Sequence, residues 1–366
     1  MEFEIQEKDY ELLKKIGIDV FPEDRNYWFI RTQSGTYYDS FVNEGFVGIE
    51  WDEISDLKLI KNSNEEKLKL DVIKYYPKVE KPGHPVNQIL RFANDIKKGD
   101  IVLIPNERSE WICIGEFLSD EMYIYEEEED FQDILDSLDD DCKDKKPILK
   151  KRRKVRWIKQ VKRNELDPYL YRIIYSHNAV CDANKYSIFI DRTLSQFYIK
   201  GNEAYYTYKV NKKRNIPYID MLSFLNNNNN IINYINAYYS DLSINADDLI
   251  LKISVQSKGP IQLKGAIRNV LIIGLIMGSL FGGKLNLKIP GFEYNVETEG
   301  LPKLLNSIQV FLEKRDSAKI DKEEKEKLEK IIEQLQKDKK KLELQLPLEE
   351  DIENNQDQYE YLISEK

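Results

Sequence analysis

Hydrophobic positions along this chain follow two rhythms, one of period two and one of helical spacing. "NYWFIRT" (Asn26–Thr32) and "FVGIEWDEI" (Phe46–Ile54) run aromatic and β-branched residues together and predict strands. "SGTYYDSF" between them predicts a turn leading into a short helix. In "HPVNQILRFANDIKKGDIVLIP" (His84–Pro105), Val86, Ile89, Leu90, Ala93 and Ile96 fall at helical spacing. The glycine of "KKGD" stops that helix, and "DIVLIP" and "WICIGEF" follow as strands. Residues 1–20 predict a short helix with Leu12, Leu13, Ile16 and Ile18 on its apolar side, and "KVRWIKQV" a strand with solvated outward positions. Leu166 to about Lys200 predicts helices that close the first unit.

In the second half, "EAYYTYKVN" (Glu203–Asn211) alternates as a strand. "IPYIDMLSFLNN" and "IINYINAYYSDL" have helical spacing, with the run Asn226–Asn230 read as a loop or the start of a helix. "ADDLILKISVQSKGPIQL" predicts a strand pair about Lys258, Gly259 and Pro260. "NVLIIGLIMGSLFGGKL" (Asn269–Leu285) is the one long apolar run, and Gly274, Gly278 and Gly282 lie on it four residues apart. Each glycine costs a helix interior about 1 kcal/mol against alanine. Three on one face therefore predict close packing, against a sheet or against a second copy. Within residues 266–285 the uninterrupted apolar stretch, Val270–Gly283, is fourteen residues against the roughly twenty of a membrane span, so insertion is an unfavoured alternative. "KLNLKIPGFEYNVETEG" predicts a short strand pair and "LPKLLNSIQVFLEKRDS" an amphipathic helix.

The fold class expected is α+β. It comprises an N-terminal β-barrel with flanking helices, a C-terminal α+β module with a buried glycine-striped helix, and a charged helical tail. The expected domains are 1–200 with an acidic insertion at 116–146, an association or effector module at 201–316, and a helical or disordered tail at 317–366.

Charge sharpens this picture. The net charge of −10 excludes a uniformly basic nucleic-acid coat, but it is unevenly placed. Glu116 to Asp141 holds thirteen acidic residues and no basic one, whereas Lys143 to Arg163 holds twelve basic residues. A solvated loop accounts for the first run. The second reads either as a solvated strand or as an edge that meets phosphates by counterion release. Cys113, Cys142 and Cys181 have no paired spacing, so neither a disulfide framework nor a zinc site is indicated. The acidic, amphipathic opening predicts no secretory leader, and a cytoplasmic setting is expected. Abundant Asn, Ile, Lys and Tyr read as the habit of an AT-rich bacterial genome.

One resemblance covers roughly residues 26–165. "YWFIRTQSGTYYDSFVNEGFVGIEWDEI", "QILRFANDIKKGDIVLIP", "WICIGEF" and "KKRRKVRWIKQVKR" together are similar to the PUA-like superfamily, in particular its EVE- and ASCH-type members beside bacterial restriction and defence proteins. The shared order is a strand with Trp28, a helix, a strand ending at Trp51, the Lys-Gly-Asp turn at 98–100, the strand ending in Ile114, Gly115 and Glu116, and a late strand with Trp157. The long acidic insertion departs from the compact family pattern. The resemblance implies nucleic-acid binding, including a modified base held in an aromatic-walled pocket, in phage defence or restriction. An unstacked base needs a π face and hydrogen bonds to its edge. Candidates for this work are Trp28, Trp51, Trp111 and Trp157, then Arg31, Asn87 and Arg91, and the basic edge Lys151, Arg152, Arg153 and Arg156. Gln88, beside Asn87, reads a base edge or caps its helix. Gly274, Gly278 and Gly282 are the self-association candidates of a homo-oligomer.

An enzyme is not favoured. His84 and His177 lack spaced partners, and "LFGGK" lacks phosphate-loop spacing. No cofactor is expected. The catalytic alternative is a magnesium-dependent restriction-type nuclease in which Asp248 and Gln256 hold the metal and Lys258 orients water.

Overall fold

Asp24–Leu194 folds as one unit, while Met1–Glu23 joins Ser195–Lys366 in a second. A computed structural model describes residues 3–126, 148–254, 258–281, 300–316 and 321–347. The architecture is mixed α+β and includes a curled half-barrel sheet. The unit boundary differs from the expected 200/201 division in two ways. The strand β1 (Asp19–Phe21), close behind the first helix, pairs in parallel with β9 (Phe197–Lys200) of the second unit. Residues 197–200, expected in a closing helix, are that strand.

In the Asp24–Leu194 unit the strands are β2 (Tyr27–Ile30), β3 (Phe46–Ile49), β4 (Ile101–Pro105), β5 (Trp111–Phe117), β6 (Tyr123–Ile124), β7 (Lys151–Lys162) and β8 (Val180–Asp182). Their order is β3-β7-β5-β4-β2-β8, with β6 also on β7. Only β2 and β4 run parallel among these pairs. The long β7 gives the sheet its curl. Its first residues pair with β3 and β6, and the rest pair with β5. The register slips between Ile114 and Gly115, where an added Cβ would lie 2.5 Å from Val155 Cγ1 and 2.6 Å from Trp157 Cε3. Glycine there lets β7 fold its side chains over β5, as a bulge bends a strand.

Two buried polar residues tie helix to sheet. The Asp100 carboxylate accepts from Trp28 Nε1 (2.8 Å), Asn26 N (3.0 Å) and Lys97 N (2.8 Å). The tryptophan of the first strand and the Lys-Gly-Asp turn are thus one hydrogen-bonded device. Arg153, fully buried, donates to the carbonyls of Phe92 (2.6 Å), Ala93 (2.6 Å), Ser119 (3.1 Å) and Asp120 (3.1 Å). Phe92 and Ala93 belong to the π-helical turn Arg91–Asp95 that ends the Gly83–Leu90 helix. A cation therefore sits at the negative end of that helix, where the last carbonyls have no partner within the helix.

The second unit has the sheet β1-β9-β10-β12-β11, with β10 (Glu203–Val210), β11 (Leu249–Ile253) and β12 (Gly259–Ala266). β13 (Leu344–Gln345) also pairs with β10. The apolar Ile267–Leu280 helix packs on this sheet and on the Leu301–Asp316 helix. Gly274 and Gly278 are buried in it. A Cβ at Gly274 would meet Phe197 Cζ at 2.6 Å and Tyr206 Cδ2 at 2.7 Å. Of the two partners expected for the Gly274 face, a sheet or a second copy, the rings of its own sheet occupy it. Gly282 and the expected strand pair after it lie outside the described residues.

Two further expectations are corrected here. The Asn226–Asn230 run is no loop, because it lies inside the Tyr218–Tyr238 helix. Asn227 Nδ2 donates to buried Asp338 Oδ2 at 2.7 Å, and Asn228 Oδ1 accepts from Tyr208 Oη at 2.9 Å. The residues 322–342, expected as an exposed tail, form a helix packed on the Tyr218–Tyr238 helix, with Leu328, Leu335 and Leu342 buried. Residues 127–147, which take in most of the acidic insertion expected at 116–146, lie outside the described residues.

Candidate functional site

Two loops of the Asp24–Leu194 unit meet above the end of its sheet. Past β2, the chain turns through Gln33 (φ 51°), Ser34 (φ 57°) and Gly35 (φ 96°). Past β4, it turns through Arg108 and Ser109, both at φ 56°. Left-handed backbone is uncommon outside glycine and costs on the order of 1 kcal/mol or more per residue, so surrounding contacts must hold it. They do so at one seam. A Cβ on Gly35 would overlap the Glu107 backbone, so the two main chains touch directly. Thr32 Oγ1, buried, donates to Pro105 O at 2.5 Å. Asn106 Oδ1 accepts from Trp111 N at 2.8 Å, which closes the second loop on itself.

Between these loops, β7 and the segment after it lies a cleft of about 980 Å³. A volume of this order suits a small organic group such as a nucleoside. Arg31, Arg108, Arg163 and His177 line it, against Asp39 and Glu107. Tyr38 and Tyr175 supply aromatic surface, and Asn106 and Gln160 supply amides. Tyr38 Oη accepts from Gln160 Nε2 at 2.8 Å. Burial pushes the Tyr38 hydroxyl well above the ordinary tyrosine range, so it stays a neutral hydrogen-bonding group. Tyr175 is 64% exposed, and its hydroxyl accepts from Arg163 Nη2 at 2.5 Å. The Arg163 guanidinium lies 5.4 Å from the Tyr175 ring centroid and 5.0 Å from that of Tyr171.

Of the residues singled out from sequence, only Arg31 lines this cleft. It is held by the Ser176 carbonyl. Trp28 is buried with its N–H bound to Asp100. Trp157 is half-buried, its N–H donated to Phe41 O at 2.8 Å. Trp51 is half-buried in a left-handed turn (φ 67°), and its carbonyl accepts from Lys151. Trp111 is half-buried with the Lys162 ammonium 5.1 Å from its ring. Arg91 donates to Val180 O at 3.3 Å, Asn87 is exposed, and buried Gln88 accepts from Val180 N at 2.8 Å.

The expected phosphate-facing edge is corrected most sharply. Lys151 and Arg153 are 0% exposed, and Arg152 is buried too. Lys151 donates to Trp51 O at 2.5 Å beside Asp52, and burial pulls its ammonium pKa down to about 8. The Arg152 guanidinium lies between the rings of Phe46 (4.0 Å) and Tyr125 (3.7 Å) and donates to Leu149 O and Glu44. Among these cations, Arg156 alone is exposed, and it pairs with Glu116 at 2.8 Å.

The catalytic alternative fares no better. Asp248 precedes β11 and Lys258 precedes β12, and these strands are antiparallel neighbours. By the register Asp248 lies level with Ala266 while Lys258 precedes Gly259 at the other end of β12, so the two stand roughly 26 Å apart at the usual rise. Gln256 lies outside the described residues. Among the described residues no three His, Cys, Asp or Glu side chains gather as a metal-binding group. No helix among them is long and apolar enough to cross a membrane. Burial raises the Cys113 thiol to about 12, which removes it as a nucleophile at neutral pH.

Sequence reasoning passed over Tyr38, Asn106, Gln160, Arg163 and Tyr175. The available signals were Gly35 and Asn106, turn formers that flank β-branched runs. Residues 28–180 match a family described as a domain of unknown function, DUF8426, a stretch that lies within the cleft-bearing unit. No curated protein and no solved structure matches the chain.

Proposed function

We propose that the Asp24–Leu194 unit binds nucleic acid by taking one unstacked nucleobase, including a modified one, into the cleft. The observation that carries this reading is Tyr175, a largely exposed ring at the cleft held in place by Arg163. A base resting on such a ring gains about 1–3 kcal/mol. The amides of Asn106 and Gln160 are suited to a base edge, and Arg31 and Arg108 to the flanking phosphates. The bacterial, cytoplasmic setting in phage defence or restriction belongs to this proposal through the resemblance of residues 26–165. A homo-oligomer is retained only as part of that setting, since the Gly274 face is filled from within.

The test is fluorescence anisotropy with labelled single-stranded and duplex oligonucleotides that carry unmodified, 5-methyl, 5-hydroxymethyl or N6-methyl bases. Tyr175→Ala is expected to weaken the best ligand by roughly 5- to 150-fold, the equivalent of one lost stack, with an unchanged melting temperature. Equal binding by Tyr175→Ala and the parent, or no binding by the parent, overturns the reading.

A further inference from the structure

The cleft does not end at Tyr175. The short segment after β7, Pro168–Ile174, puts Tyr169 and Arg172 at its surface, with Tyr171 half-buried between them. Tyr169 is 55% exposed and stacks on Phe189 with centroids 5.0 Å apart at 11°. Arg172, exposed, has its guanidinium 5.9 Å from the Tyr169 ring. Tyr171 donates its hydroxyl to Arg163 O at 2.8 Å, which ties this segment to the arginine beside Tyr175. The acid that caps the segment, Asp167, is already neutralised: it pairs with Arg192, both side chains being buried, and accepts from Tyr169 N. Glu165 is the exposed acid nearby.

Tyr10, Tyr75, Tyr218 and Tyr238 are exposed as well, but only Tyr169 and Tyr175 lie beside the cleft. A ring left half in water forgoes burial, and here each of the two, six positions apart, is held by its own neighbours, Tyr169 by Phe189 and Tyr175 by Arg163. Arginine beside each ring adds a cation suited to phosphate and a plane suited to stacking. From Tyr169 to Tyr175 the backbone climbs roughly 10 Å. That length matches about three nucleotide steps at about 3.4 Å each.

We infer that Tyr169, Arg172 and Tyr175 form a track for about three unpaired nucleotides next to the base held in the cleft. This inference rests on the nucleobase reading of the cleft and adds the substrate form: single-stranded nucleic acid, bound beyond the recognised base. Duplex cannot lay its bases on these rings without unstacking, so the track selects single strands.

The test compares a fluorescein-labelled twelve-nucleotide single strand with a labelled dinucleotide of the same chemistry, each as DNA and as RNA. The proteins are the full chain, Tyr169→Ala, Tyr169→Phe, Arg172→Ala and the cleft variant Arg31→Ala with Gln160→Leu. Tyr169→Ala is expected to weaken the twelve-mer about 5- to 150-fold and leave the dinucleotide unchanged. Tyr169→Phe retains parental affinity, because the ring and not the hydroxyl supplies the stack. Arg172→Ala lowers the slope of log affinity against log salt by about 0.7. If Tyr169→Ala and Arg172→Ala bind the twelve-mer as the parent does, the track is overturned while the cleft reading stands. If those variants weaken the twelve-mer but the cleft variant changes nothing, the cleft reading falls, and with it the placement of the track beside a recognised base. A parent that binds neither oligonucleotide ends both.

Discussion

Two basic stretches of the Asp24–Leu194 unit end in opposite places. Lys151–Arg153 has the densest positive charge in the sequence, yet its side chains turn inward to carbonyls and rings. Arg163–Tyr175 is sparser in charge, yet it puts Arg172 and two tyrosines at the surface. The difference teaches that a cation's partner decides its role. Where the backbone leaves carbonyls unpaired, as at the π-helical turn, a guanidinium can be buried at acceptable cost because hydrogen bonds replace its water. Where the nearest partners are exposed rings, the charge stays at the surface.

The largest break of this contrast is Arg153→Met. It leaves four carbonyls without their charged donor, and the expected loss is on the order of 4 kcal/mol. Thermal unfolding of the variant should fall by roughly 10 °C for a unit of this size. A fall of a degree or two would show that water replaces the guanidinium and that its burial is incidental.

Next in size is a pH effect at Lys151. Its folded pKa, about 8, lies below the ordinary lysine value of 10.5. Between those values the unfolded chain binds more protons than the folded one, so this group's contribution to stability rises with pH. Below about pH 8 the burial penalty is fully present. Relative to Lys151→Met, the parent should therefore gain stability from pH 8 to pH 10, by up to about 1.4 kcal/mol per unit. Denaturant midpoints of both proteins across that range check the sign, and a parallel pair of curves would contradict it.

The smallest effect belongs to Arg156. Its ion pair with Glu116 is exposed, and pairs of that kind contribute about 0.5 kcal/mol or less. Arg156→Ala should leave both the melting temperature and oligonucleotide affinity near parental. A clear loss of affinity would return part of the phosphate contact to β7.

Much of the scaffold was legible in the residues. Runs such as "YWFI", "IVLI" and "WICIGEF" became strands because β-branched and aromatic residues fit a pleated surface, whereas the helix before "IVLI" ends at Asp95 with Ile96 extended and Gly99 serves the turn that follows. The facing of Lys151–Arg153 was not legible. A strand of long cations alternates in the same way whether one face meets water or carbonyls, and the acceptors come from residues about 60 and 34 positions away. The asparagine run misled for a related reason. Asparagine is poor in helices when solvated, but here Asp338, over a hundred residues later, gives Asn227 a buried partner. The cleft was hidden because its walls are left-handed turns at Gln33–Gly35 and Arg108–Ser109, for which only glycine carries a plain signal.

The seam where Gly35 rests on the Glu107 main chain fixes how the aperture can behave. Under the proposed nucleobase reading, jaws whose main chains touch at such a point favour a guest that already fits. Selection of that kind is quick and costs little ordering on arrival. It also makes position 35 intolerant: any side chain there pries the rim apart and changes the shape that does the sorting.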